Sequence, residues 1–342
     1  MTKKTGQFLI PALSILSALL FSTLVIVMTG RDPIMIFNKM LRATFMSSYG
    51  TGQVVFRMTT LVLAGLAVAI PFKLKLFNIG AEGQLQMGAF AAAMTGVLIP
   101  AAISSPLAVS LCILSAMAAG GCWALLAGVL KVRFAVNEVI ATIMLNFIAQ
   151  GATGYLLTYH FALPSTVHTA SITPAAIIPS FDSVTGWFAN SPANISTLFS
   201  IGAALLFQTI LFKTRFGFEM RAAGLQPEAA RYGGIKADMH SLSAMGIGGA
   251  IAGLGAANIV LGYKHYYEGG MTGGIGFTGI AVALLAGANP LWILLSALFF
   301  SFLEYGGLTV NAYIPKDIFM MIEAVTILLV ITFSAIGKRL QS

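Results

Sequence analysis

Charge is what this chain has least of. Only 9 % of its 342 residues are Asp, Glu, Lys or Arg, and 11 of those are acidic, whereas a soluble domain carries about 25 %. Too little charge is present to cover a water-facing surface, which excludes a soluble domain of the chain's own. Cysteine is equally scarce. Cys112 and Cys122 lie ten residues apart in one apolar stretch, which excludes a disulfide framework and a thiolate metal pair. His160, His168, His240 and His265 lack metal-ligand spacing, so no metal site is expected. No Gly-x-Ser-x-Gly elbow is found, and no Lys follows a phosphate-cradling loop. Gly274-x-Gly276-x-x-Gly279 has dinucleotide spacing, but it lacks a preceding strand, and the acidic residue needed about 20 positions on is replaced by Phe299. No catalytic residue and no cofactor are expected, and the chain is read as a non-enzyme.

What is present in abundance is apolar. Hydrophobic residues make up 58 % of the chain and mean hydropathy is +0.89. A membrane-spanning helix needs about 20 apolar residues. Residues 8–29 carry no charge, nor do residues 83–130, which Pro100 and Pro106 divide. The expected fold is all-α, a polytopic membrane protein with about ten spans. They fall at 8–29, 54–72, 82–99, 107–130, 136–158, 196–212, 240–262, 277–288, 290–305 and 318–337. With both termini inside, thirteen of the 19 basic residues fall in inner loops, as the positive-inside rule requires. The net charge of +8 thus has a topological cause, and its scattered distribution argues against nucleic acid. The first apolar run is too long for a signal peptide and is read as retained.

An internal echo adds to this. Asn78-Ile-Gly-Ala-Glu-Gly83 and Gly274-Ile-Gly-Phe-Thr-Gly279 both read x-Ile-Gly-x-x-Gly and open spans five apart. Five is odd, so the two copies would run in opposite directions, the inverted-repeat arrangement of many transporters. Gly249-x-x-x-Gly253 is read as a close-packing motif between helices. Polar residues within spans are expensive and mark pathways. The candidates for a translocation pathway are Asn78, Glu82, Asn137, Asn146 and Asn258, and Asn146 and Asn258 are expected deepest in their spans. Glu82 and Glu138 also suit helix starts, and Phe147 and Tyr155 offer rings that would stack on a base.

The one substantial polar island is 213–239. It is expected as two short helices, Gly224 supplying a left-handed cap for the first, Pro227 opening the second and Gly233-Gly234 ending it. Ala222, Ala223, Ala229 and Ala230 are expected to leave thin faces for a docking protein.

Three segments resemble the permease subunits of bacterial ABC importers, in the branch serving sugars and nucleosides. They are Phe77-Asn-Ile-Gly-Ala-Glu-Gly-Gln84, Val136-Asn-Glu-Val-Ile-Ala-Thr-Ile-Met-Leu-Asn-Phe147 and Ala222-Ala-Gly-Leu-Gln-Pro-Glu-Ala-Ala-Arg-Tyr-Gly-Gly-Ile235. The Val136 segment is most similar to nucleoside-type members. The resemblance covers essentially the whole chain, so 1–342 is expected to be one transmembrane domain with 213–239 its cytoplasmic coupling loop. It implies a multi-pass subunit of the bacterial cytoplasmic (inner) membrane, surrounded by lipid. It also implies ATP-binding subunits docking from the cytoplasm, a second and related but different permease, and an extracytoplasmic substrate-binding protein. Under that resemblance Arg221, Ala222, Ala223, Gly224, Pro227, Glu228, Ala230 and Arg231 would meet the ATPase. Nucleosides are the expected cargo, with sugars or riboflavin the alternative. An ion-coupled secondary transporter using Glu82, Glu304 and Glu323 is the competing class.

Overall fold

The computed structural model describes residues 3–100 and 102–341, and these residues form helices and loops with three isolated β-bridges. Fourteen α-helices follow in order: α1 (Lys3–Met28), α2 (Pro33–Phe45), α3 (Ser48–Phe72), α4 (Ala81–Leu98), α5 (Ser105–Phe134), α6 (Glu138–Leu156) and α7 (Phe181–Thr185). Then come α8 (Ser196–Lys213), α9 (Arg215–Leu225), α10 (Pro227–Tyr232), α11 (Ala237–Leu254), α12 (Ile275–Leu285), α13 (Pro290–Thr309) and α14 (Lys316–Gln341). Two helices continue as π-helical turns, α6 through Leu157–Phe161 and α11 through Ala257–Lys264.

Every segment expected to span coincides with a helix. Six are long and apolar enough to cross a bilayer, and the bent pair α1–α2, folded through 116° after Met28, is a seventh candidate. The eighth expected span is not a full crossing. At 11 residues, α12 reaches about 16 Å, roughly half the hydrocarbon thickness. Left-handed backbone brackets it, at Gly273 and Gly274 on one side and Gly287 and Ala288 on the other. The sequence reading did not anticipate α2, whose start is fixed by Asp32 accepting from the Ile34 N–H at 2.9 Å.

Burial sorts the helices. The apolar windows of α3 and α11 are 78 % buried, those of α5 and α6 only 28 %. The centre therefore belongs to α3, α4, α11 and α12. Interrupted helices are tolerated there because protein, and not lipid, surrounds their free backbone ends.

The packing is reciprocal. α5 runs antiparallel to α11, with Ala116 against Gly253, Gly120 against Gly249 and Gly128 against Met245. In the same way α13 runs antiparallel to α3, Ile293 lying against Gly65 and Glu304 pairing with Arg57. α12 packs on α3, and α4 on α11. Exchanging α3 with α11, α4 with α12 and α5 with α13 reproduces the same neighbours, as the repeated Ile-Gly-x-x-Gly segment predicts.

Gly249 shows why small residues sit at these crossings. A Cβ there would strike the Gly120 carbonyl oxygen and the Ala124 side chain, and neither backbone can retreat without opening the helix pair. Gly202 on α8, by contrast, has nothing within 4 Å of a Cβ position. We expect Gly249→Leu to lower thermal stability in detergent by at least the roughly 1–3 kcal/mol of core overpacking, and Gly202→Leu to be tolerated. Scanning fluorimetry of the two purified variants checks this; equal melting curves would refute the close-packed seam.

Candidate functional site

Helices that begin inside a membrane leave N–H groups that neither intrahelical bonds nor water can satisfy. Two of the central helices, α4 and α12, begin among buried residues, and each is capped by another helix. Asn146 of α6 accepts the Gly83 N–H through Oδ1 and donates to the Ile79 carbonyl through Nδ2, both at 2.9 Å. It therefore caps the first turn of α4. From that turn Glu82 reaches the start of α12. Its Oε1 accepts from the Thr272 hydroxyl at 2.6 Å and the Gly274 N–H at 3.0 Å, and its Oε2 from the Gly276 N–H at 2.7 Å. A carboxylate at a helix N-terminus also meets the positive end of the helix dipole. Gly276 is required here because a Cβ would run into the Glu82 backbone. The two copies of the repeated segment thus touch, and the carboxylate of one closes the helix of the other.

Asn78 completes this junction. Its amide pairs reciprocally with Gln84 at 2.9 and 2.8 Å, donates to the Ala67 carbonyl of α3 at 3.1 Å and accepts from the Gly80 N–H at 3.2 Å. The remaining pathway candidates lie apart. Asn137 is the exposed N-cap of α6, accepting from Val139 and Ile140. Asn258, fully buried, ties α3 to the start of α8. It donates to the Phe56 carbonyl at 2.8 Å and the Thr60 hydroxyl at 2.7 Å, and accepts from Asn194 at 2.9 Å and Ser196 at 3.1 Å. Asn78, Asn146 and Asn258 are therefore buried with their amides engaged, and none lies on an open wall of this chain.

A second polar constellation lies beside the π-helical end of α11. There a crevice of about 210 Å³ is lined by Phe56, Arg57, Thr60, Tyr263, Lys264 and Glu304. Its charges are matched, Arg57 with Glu304 at 3.2 Å and Lys264 with Glu268 at 2.8 Å. Arg57 and Tyr263 were not singled out in the sequence, and the long-range Arg57–Glu304 pair has no local signature. The Glu323 side chain lies outside the described residues.

The basic ends of the helices gather at one end of the bundle, where Lys131 of α5 pairs with Glu138 of α6 at 2.8 Å. There the polar island forms two helices, as expected. Thr214 caps α9 by accepting from Gly217 at 3.2 Å, and Pro227 opens α10. Gly224 departs from the expectation. It lies inside α9 without left-handed backbone, and α9 ends at the next residue, Leu225, with Gln226 its cap. Its smallness serves a close approach: a Cβ would collide with the Lys73 carbonyl after α3. Ala223 and Ala230 likewise pack inward with Leu74, Ile235 and Ala237, so they seat the element on its own chain and are not free for a docking protein. Lys75 donates to the Leu225 carbonyl at 3.2 Å. Lys73 and Arg221 both lie over the Phe212 ring. Burial first, then the Arg221 charge, lowers the Lys73 ammonium to about 8. Glu219 is held below its usual range by Arg215, then by His240, whose Nε2 lies 3.0 Å away. Pro227, Glu228, Ala229 and Arg231 remain exposed, Ala222 is half-buried, and Arg231 meets Asp238 at 3.0 Å. The most exposed apolar groups of the island are Leu225, 74 % exposed, and Tyr232, 95 % exposed. The sequence reading passed over both; an apolar residue and an aromatic within an otherwise polar loop were the available signal.

The junction makes a direct expectation. In Glu82→Gln an NH₂ replaces one acceptor oxygen facing the α12 start, and Glu82→Ala removes both. Each leaves buried N–H groups unpaired, at about 1–3 kcal/mol apiece. Both variants should unfold at lower temperature than the parent, Glu82→Ala more so; an unshifted Glu82→Ala melt would show the contact to be idle.

Comparison with known proteins agrees with this architecture. Residues 50–331 match the family model described as branched-chain amino acid transport system / permease component. The guanosine ABC transporter permease protein NupP of Bacillus subtilis is 34 % identical over 98 % of this chain and 96 % of its own length. The glucose ABC transporter permease protein TsgB13 of Haloferax volcanii is also 34 % identical, over 94 % of this chain and 86 % of its own. The nucleoside ABC transporter permease protein NupB of Lactococcus lactis subsp. cremoris is 31 % identical over 96 % and 91 %. No solved structure matches the chain. With its spanning helices, its paired interrupted helices and a match along nearly its whole length, this multi-pass membrane protein belongs to the permease-component family of branched-chain amino acid type transport systems, as a transport subunit and not an enzyme.

Proposed function

We propose that the chain is one permease subunit of an ATP-driven importer of the cytoplasmic membrane, and that its cargo is a nucleoside. The observation that carries the subunit role is the α9–α10 element. It is clamped to the turn after α3 through Gly224 and Lys75, yet it presents Leu225, Pro227, Glu228, Arg231 and Tyr232 outward. An aromatic that is 95 % exposed beside a rigid helix pair is what a soluble partner's groove takes as an anchor. ATP-binding subunits are the partners that this reading requires there. A second, related permease would complete the pathway, and a binding protein on the opposite side would deliver cargo. The basic ends then face the cytoplasm, in keeping with the positive-inside rule, and both termini lie inside.

Nucleosides are favoured because two of the three relatives named above are guanosine or nucleoside permeases, one of them matched over 98 % of this chain. Glucose is the alternative cargo, since a glucose permease is equally identical. The secondary-transporter class loses support from the geometry. Glu82 is committed to the start of α12 and Glu304 is paired with Arg57.

Affinity purification of the tagged chain from solubilised membranes should bring down an ATPase and a second permease. A chain that purifies alone and accumulates nucleoside on an ion gradient would overturn the importer reading. Within the complex, Tyr232→Glu should leave insertion intact and weaken ATPase-subunit binding by roughly thirtyfold, the about 2 kcal/mol of an interface anchor. Unchanged co-purification and unchanged uptake would move the docking surface elsewhere. A cysteine at Glu228 should react only from the cytoplasmic side, and labelling from outside would reverse the topology.

A further inference from the structure

The free face of α6 changes character midway along the helix. Along α5 the exposed side is mainly aliphatic, with Leu107, Leu111, Leu114, Leu126 and Val129 beside the small Ser110 and Cys122, as acyl chains require. Along α6 the exposed side begins apolar, with Ile140, Met144, Phe147 and Ile148, and turns mixed from the middle onward, with Gln150, Gly151, Tyr155, Thr158 and Tyr159, spaced at three and four residues and so on one side of the helix. Gln150 is the exceptional member. It stands twelve residues into the Glu138–Phe161 crossing, about 18 Å from its start, close to the middle. Among the described residues of the six full-length spans it is the one exposed amide or charged side chain away from a helix end. Asn78, Gln84, Gln86, Asn146 and Asn258 are all buried and hydrogen-bonded. The Gln150 side chain makes no hydrogen bond to any described residue. Facing hydrocarbon, an unpaired amide costs several kcal/mol, so acyl chains are not what Gln150 meets.

The surroundings of the amide indicate what it does meet. Gly151 and Gly154 have nothing within 4 Å of a Cβ position. They leave a shallow notch at the same depth as Gln150, between the Phe147 and Tyr155 rings, which are 63 % and 57 % exposed. Farther along, Tyr155 lies 5.1 Å from Tyr159 and 5.6 Å from His160, ring to ring, so an aromatic track runs from mid-membrane to the end of the helix. No Lys or Arg occurs from Glu138 to Phe161, so the face offers nothing to a phosphate. A primary amide presents a donor and an acceptor side by side. That pair matches the edge of a purine or pyrimidine, while rings above and below stack on the base plane with little sequence preference.

We propose that this face of α6 is this chain's wall of the solute path shared with a second permease, with Gln150 hydrogen-bonding the base edge of a neutral nucleoside and Phe147 and Tyr155 stacking on its ring. The assignment of the base rests on the nucleoside reading above. It differs from the pathway expected from the sequence, because Asn78, Asn146 and Asn258 hold helices together, whereas Gln150 is free to meet a solute.

The test uses the complete importer, with this chain co-expressed with its ATPase, second permease and binding protein. Gln150→Leu keeps most of the side-chain bulk and removes the amide; it should assemble normally and lower initial uptake of guanosine and uridine by about two- to tenfold, the worth of one neutral hydrogen bond. In a background with Cys112→Ala and Cys122→Ala, Gln150→Cys should react with a charged methanethiosulfonate, and millimolar guanosine should slow that reaction. Leu114→Cys on the lipid side of α5 should not react. Undiminished uptake in Gln150→Leu, or an unreactive Gln150→Cys, overturns the inference. So does loss of the second permease from the purified Gln150→Leu complex, which would make the face a subunit contact. A wild-type importer that carries glucose and no nucleoside removes the cargo reading. A wild type that carries nucleosides beside an unreactive Gln150→Cys removes this inference alone.

Discussion

An α-helix that starts within a membrane must find acceptors for its first N–H groups from somewhere other than water. The centre of this protein is arranged around that requirement. Asn146 supplies the acceptor for α4, and Glu82, carried on the turn so fixed, supplies it for α12. The three helices are joined in series by hydrogen bonds that have no substitute nearby. The same constraint explains why Gly83 and Gly276 occur where they do. At both, a Cβ would press on the capping residue or its backbone.

Glycine does the remaining work at the crossings. With lipid as apolar as leucine, helices in a membrane associate through close approach and through polar contacts. The α5–α11 pair uses the first, backbone against backbone at Gly120 and Gly249. The attachment of α11 to α3 and α8 uses the second, with Asn258 bonded to Phe56, Thr60, Asn194 and Ser196. The reciprocal neighbours of α3 and α11 place both devices within one architecture.

Much of this was legible in the sequence. Apolar runs located each spanning helix because hydrophobicity is a local property. Pro227 and Gly233-Gly234 bounded α10 for the same reason. The repeated Ile-Gly-x-x-Gly segment foretold that α4 and α12 are counterparts. What escaped depends on the chain meeting itself. Gly224 reads as a cap in the sequence, but it is a contact with Lys73, some 150 residues earlier. Asn146 and Asn258 read as pathway residues because a polar group in a membrane is costly, and the sequence does not show whether that cost is met by another helix or by a solute. Gln150 is no different from them until the structure shows that its side chain has no partner within the described chain. The half-length of α12 was hidden too, since its apolar run continues past Leu285 and only the left-handed residues at 287 and 288 end it.

The seating of α9 has a mechanical consequence. Gly224 bears on the carbonyl of Lys73, and Asn78, which stitches the start of α4 to α3, follows only five residues later. The connecting stretch is short, buried at Leu76 and Asn78, and pinned at Lys75 by its bond to Leu225, so it has almost no slack. A displacement applied to α9 would therefore find little give in this stretch. It would be passed to the α4 start, and through Glu82 to α12, as the short arm of a lever whose fulcrum is the end of α3.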